Sequence, residues 1–227
     1  MALQSRSSTP AGVGSSTLAY LSDTKVGSLL TTFVLGDSSL NSSTGITDSL
    51  GNVWTRAVFI TQGAEECSIW YAISKGGPNT ITFLWTGTVS FSSCSIAEHP
   101  GIKQHSPLRQ TNSNNNVNTG TGADSATTGI VNTLTEGELI LAGFARYGGS
   151  GTTAAVGTGF TLIQDPFGDS PFMERTQKTA GPIAGTVTPQ AADDDFIAVI
   201  ATFAKIQVTN NLVQNIRPRR TAPGICR

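Results

Sequence analysis

The chain is expected to be all-β, a sandwich of two antiparallel sheets, on three observations. Short runs of β-branched and aromatic residues recur from end to end with Gly, Asn, Asp and Pro clusters between them, as in strands joined by turns. Inside the runs, Cys67, Ile69, Tyr71 and Ile73 alternate with Ser68, Trp70, Ala72 and Ser74, and Ile81, Phe83 and Trp85 alternate with threonines. Such alternation gives a strand one apolar face. Charged residues make up only 13% of the 227 positions, too few to coat the outer faces of long helices.

Taken in order, residues 1–16 are polar, contain Pro10 and two glycines, and read as an extended N-terminal arm. Strands are expected at 17–21, 28–36, 53–60, 67–74, 80–86, 93–99, 138–147, 160–165, 172–179 and 195–206. The last of these, FIAVIATFA, is apolar on both faces and suits a central strand covered on each side. Before the third, the stretch DSLGNVWT sets Asp48, Ser49, Gly51 and Asn52 ahead of Trp54. This is the chemistry of a tight turn, with Gly51 or Asn52 able to take positive φ and Trp54 expected to plug the space between sheets. Residues 103–135, dense in Asn and Gly, are expected to form a long crossover loop rather than core. That segment divides the chain into halves of similar length in which no repeat is legible.

Charge is unevenly placed. Residues 1–195 hold nine basic and fifteen acidic side chains, a charge of −6, whereas residues 196–227 hold five basic ones and no acid. Arg217, Arg219, Arg220 and Arg227 stand in a proline-bearing tail, which reads as an extended arm that meets an acidic neighbour. Without interleaved aromatics, and on an acidic body, this tail makes no case for nucleic acid. No apolar core of a secretory leader is expected at the start, and no apolar run is long enough to span a membrane. Cys67, Cys94 and Cys226 are an odd number without C-x-x-C spacing, which favours free thiols over a disulfide framework, although Cys67 and Cys94 would pair on adjacent strands.

Candidate chemistry is sparse. Cys94, Glu98, His99 and His105 offer zinc-type ligands, but Cys94 and Glu98 share a strand face that His99 leaves. The acids of ADDDF, residues 192–196, suggest a calcium site or an ordinary acidic turn. Gly149 and Gly151 lie directly beside Ser150, so the spacing of a hydrolase elbow fails, and no serine is marked as a partner for His99 or His105. The pairs Glu65 with Glu66 and Glu136 with Glu138 read as solvated turn acids rather than a glycosidase pair. No catalytic residue, metal or cofactor is assigned on these grounds.

The succession GSLLTTFVLG, ITDSLGNVWTRA, CSIWYAIS, GGPNTITFLWTG, SIAEHPGI, GELILAGFA, GTGFTLI and DDDFIAVIATFAK resembles a jelly-roll β-sandwich domain found in bacteriophage virion surface proteins and secreted bacterial multidomain proteins. The resemblance spans about residues 15–206 and is carried chiefly by D-S-x-G-N-x-W-T followed by I-W-Y-A. It implies a single jelly roll over residues 17–206 between an arm at 1–16 and a basic arm at 207–227. Trp54, Ile69, Tyr71, Phe83 and Phe203 are expected in its core. The function implied is that of a structural, non-enzymatic virion protein, a capsid decoration or comparable surface protein. Arg6, Arg217, Arg219, Arg220 and Arg227 of the arms would contact the major capsid protein, other virion subunits or copies of the chain itself. The alternative is a secreted carbohydrate-binding module in which Trp70, Tyr71 or Trp85 stacks on sugar rings.

Overall fold

The computed structural model describes residues 1–8, 15–37, 45–63, 65–85, 92–116, 125–148, 155–166, 168, 170–188 and 195–206. All regular structure among them is β. In the first half the strands are β1 (Gln4–Ser8), β2 (Ser15–Ala19), β3 (Leu29–Asp37), β4 (Gly45–Asp48), β5 (Thr55–Gln62), β6 (Glu65–Ile73), β7 (Thr80–Leu84) and β8 (Ser92–His99). The second half contributes β9 (Leu108–Asn116), β10 (Ala126–Thr127), β11 (Val131–Thr133), β12 (Leu139–Gly148) and β13 (Ala155–Val156). It continues with β14 (Thr161–Gln164), β15 (Phe172–Thr176), β16 (Gly181–Ile183), β17 (Thr186–Thr188) and β18 (Asp195–Phe203).

Two five-stranded antiparallel sheets, β1-β8-β3-β6-β5 and β14-β15-β12-β18-β9, form the centre. Their facing sides bury Leu29, Phe33, Leu35 and Ile69 against Leu139, Leu141, Phe172, Val199 and Phe203 in one apolar cluster. The sequence expectation of two sheets omits what covers their other sides. A three-stranded sheet, β2-β7-β4, lies outside the first and buries Leu18, Ile81, Phe83 and Trp85 against Leu30, Val34, Trp70 and Ile96. Outside the second, β10-β17-β13 and the pair β11-β16 cover Ile140, Phe144, Met173, Phe196 and Ile200. The central sheets are therefore apolar on both faces, and each face needs a partner layer to leave water. For this reason β6 is buried on both faces rather than half buried, and β8 is buried at all eight positions, Ser92 to His99.

The two halves repeat one plan, although the sequence shows no repeat. Reading β1 as the counterpart of β9, β8 of β18, β3 of β12, β6 of β15 and β5 of β14, the two central sheets have the same order, and β2-β7-β4 corresponds to β10-β17-β13. Registers agree as well: Leu29 faces Ile73 and His99 where Leu139 faces Thr176 and Phe203. Turn hydrogen bonds coincide, Gly27 N–H to Ser74 O (2.8 Å) with Gly137 N–H to Gln177 O (2.7 Å), and Ser49 N–H to Thr80 O (2.9 Å) with Gly157 N–H to Thr186 O (2.8 Å). Gly27 and Gly137 take φ of 79° and 80°, a left-handed conformation that a side chain resists.

Counterparts meet where the halves touch. Phe33 and Gly143 are equivalent positions, and a Cβ on Gly143 would sit 2.3 Å from the Phe33 ring. A residue that faces its own counterpart across a local two-fold relation cannot be large in both copies. Here one is Phe and the other Gly, so the packed interface requires that the sequences differ.

Two further expectations change. The N-terminal arm is not free, because β1 pairs with β8 from Gln4 opposite Glu98 to Ser8 opposite Cys94 and forms the edge of the first central sheet. The polar stretch 103–135 contains β9, which pairs along most of β18. An edge strand needs hydrogen-bonding backbone more than apolar side chains, so its Asn-rich sequence hid it.

Candidate functional site

Three polar constellations stand out, and the first lies between the central sheets. His99, at the end of β8, points inward, with Nε2 3.0 Å from Thr31 Oγ1 and Nδ1 3.2 Å from a carboxylate oxygen of Glu174 on β15. The other Glu174 oxygen accepts the Ala2 backbone N–H at 2.9 Å. Burial lowers the His99 pKa, and Glu174 opposes that shift without reversing it. Burial likewise works against the Glu174 carboxylate, yet contacts from His99 and the Ala2 amide outweigh it and hold its pKa low. The line hydroxyl, imidazole, carboxylate resembles a nucleophile triad in outline. Thr31 is fully buried, however, and His99 and Glu174 nearly so, so a substrate has no route to the hydroxyl. The group ties the segment before β1, at Ala2, to β3, β8 and β15 across the halves.

Glu98 points to the opposite face, where its oxygens accept Lys25 N–H (2.7 Å) and Gln4 Nε2 (2.8 Å). Cys94 lies in the outer cluster of the first half, and His105 is exposed. The four suggested zinc ligands thus occupy separate environments, and no metal-type cluster of three His, Cys, Asp or Glu occurs among the described residues. Cys67 and Cys94 are free and belong to clusters on opposite faces of the first central sheet, with β3 between their strands. Burial pushes both thiol pKa values up, so neither is a ready nucleophile.

The second constellation is the turn DSLGNVW. Asp48 Oδ1 accepts the N–H groups of Leu50 (3.1 Å) and Asn52 (2.9 Å), while Oδ2 accepts Asn52 Nδ2 (2.7 Å), Trp54 Nε1 (2.9 Å) and Asn79 Nδ2 (3.2 Å). Burial would raise the Asp48 pKa, but the donors of Asn52, Trp54 and Asn79 together lower it. Five donors saturate the carboxylate and leave it no capacity for a metal. Trp54 is half buried beside the outer cluster of the first half rather than plugged between the central sheets, because its indole N–H is held by Asp48 at the rim.

The third constellation is open. At one end of the second central sheet, Arg175, Thr176, Gln177, Lys178 and Thr179 line a cleft of about 450 Å³ with Gly159. A second cleft of about 390 Å³ adjoins it, lined by Thr176, Gln177 and Lys178 together with Glu136, Gly137, Lys205 and Ile206. Arg175 Nη1 lies 3.4 Å from Thr158 O, and Lys205 Nζ donates to Thr176 Oγ1 at 3.3 Å. Gln177 is 8% exposed, and its Oε1 is buried without a donor. Of these cleft residues the sequence marked only Glu136, and that as a solvated turn acid. The available signal was a Lys shortly before Gly-Pro, in KGGP at 75–78 and again in KTAGP at 178–182.

The remaining expected residues are placed as follows. Ile69 and Phe203 lie in the central cluster with Tyr71 packed against it, and Phe83 lies in the outer cluster of the first half. Arg6 is exposed and directs Nη1 to Ala19 O at 3.3 Å. Arg217, Arg219, Arg220, Arg227 and Cys226 lie outside the described residues, as do Ser150, Asp193 and Asp194. Trp70 and Trp85 are buried at 9% and 6% exposure, and Tyr71 packs against the central cluster. The stacking platform expected of a carbohydrate-binding module is therefore not presented by these three rings. No helix among the described residues is long and apolar enough to cross a membrane. No protein-family model matches the chain, and no curated protein or solved structure matches it.

Proposed function

We propose that the protein is a non-enzymatic structural module of a tailed bacteriophage virion, a capsid decoration or comparable surface protein. The duplicated strand order carries the reading. Numbering the first-half strands 1 to 8, the orders 1-8-3-6 and 2-7-4 are those of a jelly roll whose fifth strand has joined the sixth. The second half repeats them, so we read the chain as two fused jelly rolls. Jelly rolls serve viral capsids and lectins alike, and the link from fold to function is an analogy.

Two physical features support the structural reading. The groups that would do chemistry, His99, Glu174, Glu98 and Asp48, are spent on holding backbone and neighbouring side chains. The chain also combines a body of charge −6 with a terminal segment bearing Arg217, Arg219, Arg220 and Arg227. That asymmetry suits contacts with the major capsid protein, other virion subunits or further copies of the chain. Peptide mass spectrometry of virions purified from the strain that encodes the chain is the test. Its peptides are expected at a stoichiometry comparable to that of capsid subunits; infectious particles that lack them overturn the proposal.

A further inference from the structure

All five lysines of the chain stand at one end of the sandwich. Lys25 precedes β3, Lys75 follows β6, Lys103 lies between β8 and β9, Lys178 follows β15 and Lys205 follows β18. The halves bring these turns to the same end: Tyr71 near the end of β6 meets Phe203 at the end of β18, with ring centroids 5.4 Å apart, and Lys103 N–H donates to Ala204 O at 2.9 Å. Four carboxylates at this end, Asp48, Glu98, Glu138 and Glu174, are spent on neighbouring backbone N–H groups. Asp23 and Glu136 are the exposed acids there among the described residues. The opposite strand ends carry Asp37, Glu65, Glu66 and Asp195, with Asp165 next to β14, so charge is separated along the strands.

Apolar side chains stand out among the lysines. Val26 and Val53 are 80% and 81% exposed in the first half, and Leu134 and Ile206 are 59% and 51% exposed in the second. Their turns are ordered by contacts. Val26 packs on Gly76, where an added Cβ would lie 2.4 Å from its Cγ2, and Lys75 Nζ donates to Gly51 O at 2.5 Å. Beyond Ile206 the sequence adds Arg217, Arg219, Arg220 and Arg227 and no acid.

We infer that this end binds the surface of an anionic lipid bilayer, with the lysines on headgroup phosphates and the four apolar tips in the interfacial layer. Such a surface attracts Lys and accepts exposed apolar groups at once, and peripheral attachment needs no spanning segment. Nucleic acid is held through aromatic stacking and Arg forks, and protein interfaces favour Arg and aromatic residues over Lys. The turns at this end carry no Arg, and their rings, Tyr20, Trp54 and Phe160, are all at least partly buried. The assignment goes beyond the virion reading, since it rests on this end of the molecule alone.

Sedimentation of the full chain with vesicles of phosphatidylcholine, or of phosphatidylcholine and phosphatidylglycerol in equal parts, tests it. The mixed vesicles are expected to bind at least about tenfold more tightly than the neutral ones, and less so at high salt. Lys25→Gln and Lys178→Gln, one in each half and both at exposed positions, are each expected to weaken binding about fivefold. Val26→Ser combined with Val53→Ser leaves the charge unchanged and is expected to weaken it about tenfold. All these variants should keep the melting temperature of the unaltered chain. Neutral vesicles binding as tightly as mixed ones overturn the inference, as does full affinity in the double lysine variant. Full affinity in the double valine variant also overturns it, since the surface would then be purely electrostatic and fit a nucleic acid or an acidic protein instead.

Discussion

The two halves share a strand order and several turn hydrogen bonds, yet they close the same corner in opposite ways. In the first half Asp48 gathers five donors and Lys75 caps Gly51, so the corner is sealed by polar contacts within itself. In the second half Val156 and Gln177 stand at the places of Asp48 and Ser74, and the corner is an open cleft bordered by Arg175, Lys178, Lys205 and Glu136. Backbone plan and register are thus common property, whereas the polarity of a few turn residues decides whether a corner is sealed or open. The interface between the halves makes the same point in apolar terms. Phe33 rests on Gly143, its own counterpart, so the packing depends on the two halves differing at this position.

That asymmetry is most severely tested at the interface. Phe33→Ala is expected to cost about 3–5 kcal/mol in urea unfolding, the usual range for a buried Phe. Gly143→Ala should cost about 1–3 kcal/mol by overpacking against the ring. A Phe33→Leu, Gly143→Ala double variant is expected to lose clearly less than the sum of its single changes, because the two positions touch. Strict additivity would break the claim that counterparts meet.

Next in size is the sealed corner. Asp48→Ala leaves five donors short and should destabilise by about 1–3 kcal/mol, lowering the melting temperature more than Trp54→Phe, which removes one donor and keeps most of the ring. Transplanting the carboxylate by Val156→Asp should also destabilise, since Val156 lies at the edge of an apolar cluster that offers no comparable set of donors. Stabilisation by Val156→Asp would show that the corners differ less than their side chains indicate.

The pH dependence of stability follows from the network that bridges the halves. His99 has a folded pKa below its unfolded value of 6.5, so the unfolded chain binds more protons and stability falls as pH drops through that unfolded value. Glu174 and Asp48 have folded pKa values below those of the unfolded chain. Their contribution is complete above about pH 4.5 and is lost as pH falls through the folded values. Chemical denaturation at a series of pH values should therefore show two losses. His99→Gln is expected to remove the upper one and leave the lower, while an unchanged upper slope would remove His99 from the account. The smallest effect is expected for Arg6→Ala, within about 0.5 kcal/mol, because the side chain is exposed and makes one long hydrogen bond.

Ten strands were legible because each combines β-branched or aromatic content with turn residues at its ends, from the run at 17–21 to the doubly apolar run at 195–206. The eight missed strands are short or polar, and β9 is the instructive one. Its register on β18 is dictated by the free edge of that strand, which no local pattern in LRQTNSNNN reports. Glu174 as the partner of His99 was equally hidden, since the two lie in different halves and meet only when the central sheets stack. Asp48 could be read as a turn residue, but the Asn79 donor that completes its shell comes from a separate hairpin.

By itself the sequence determined that the chain is β throughout, where most long strands run and which turn closes on Asp48, because these depend on alternation and backbone preference over a few residues. Tertiary structure alone decided that there are outer layers, that the halves are copies, that Phe33 needs Gly143, and that one corner is sealed while its counterpart is open. Each of those outcomes depends on side chains far apart in the chain coming within van der Waals or hydrogen-bonding distance, and such distances are set by packing rather than by local pattern.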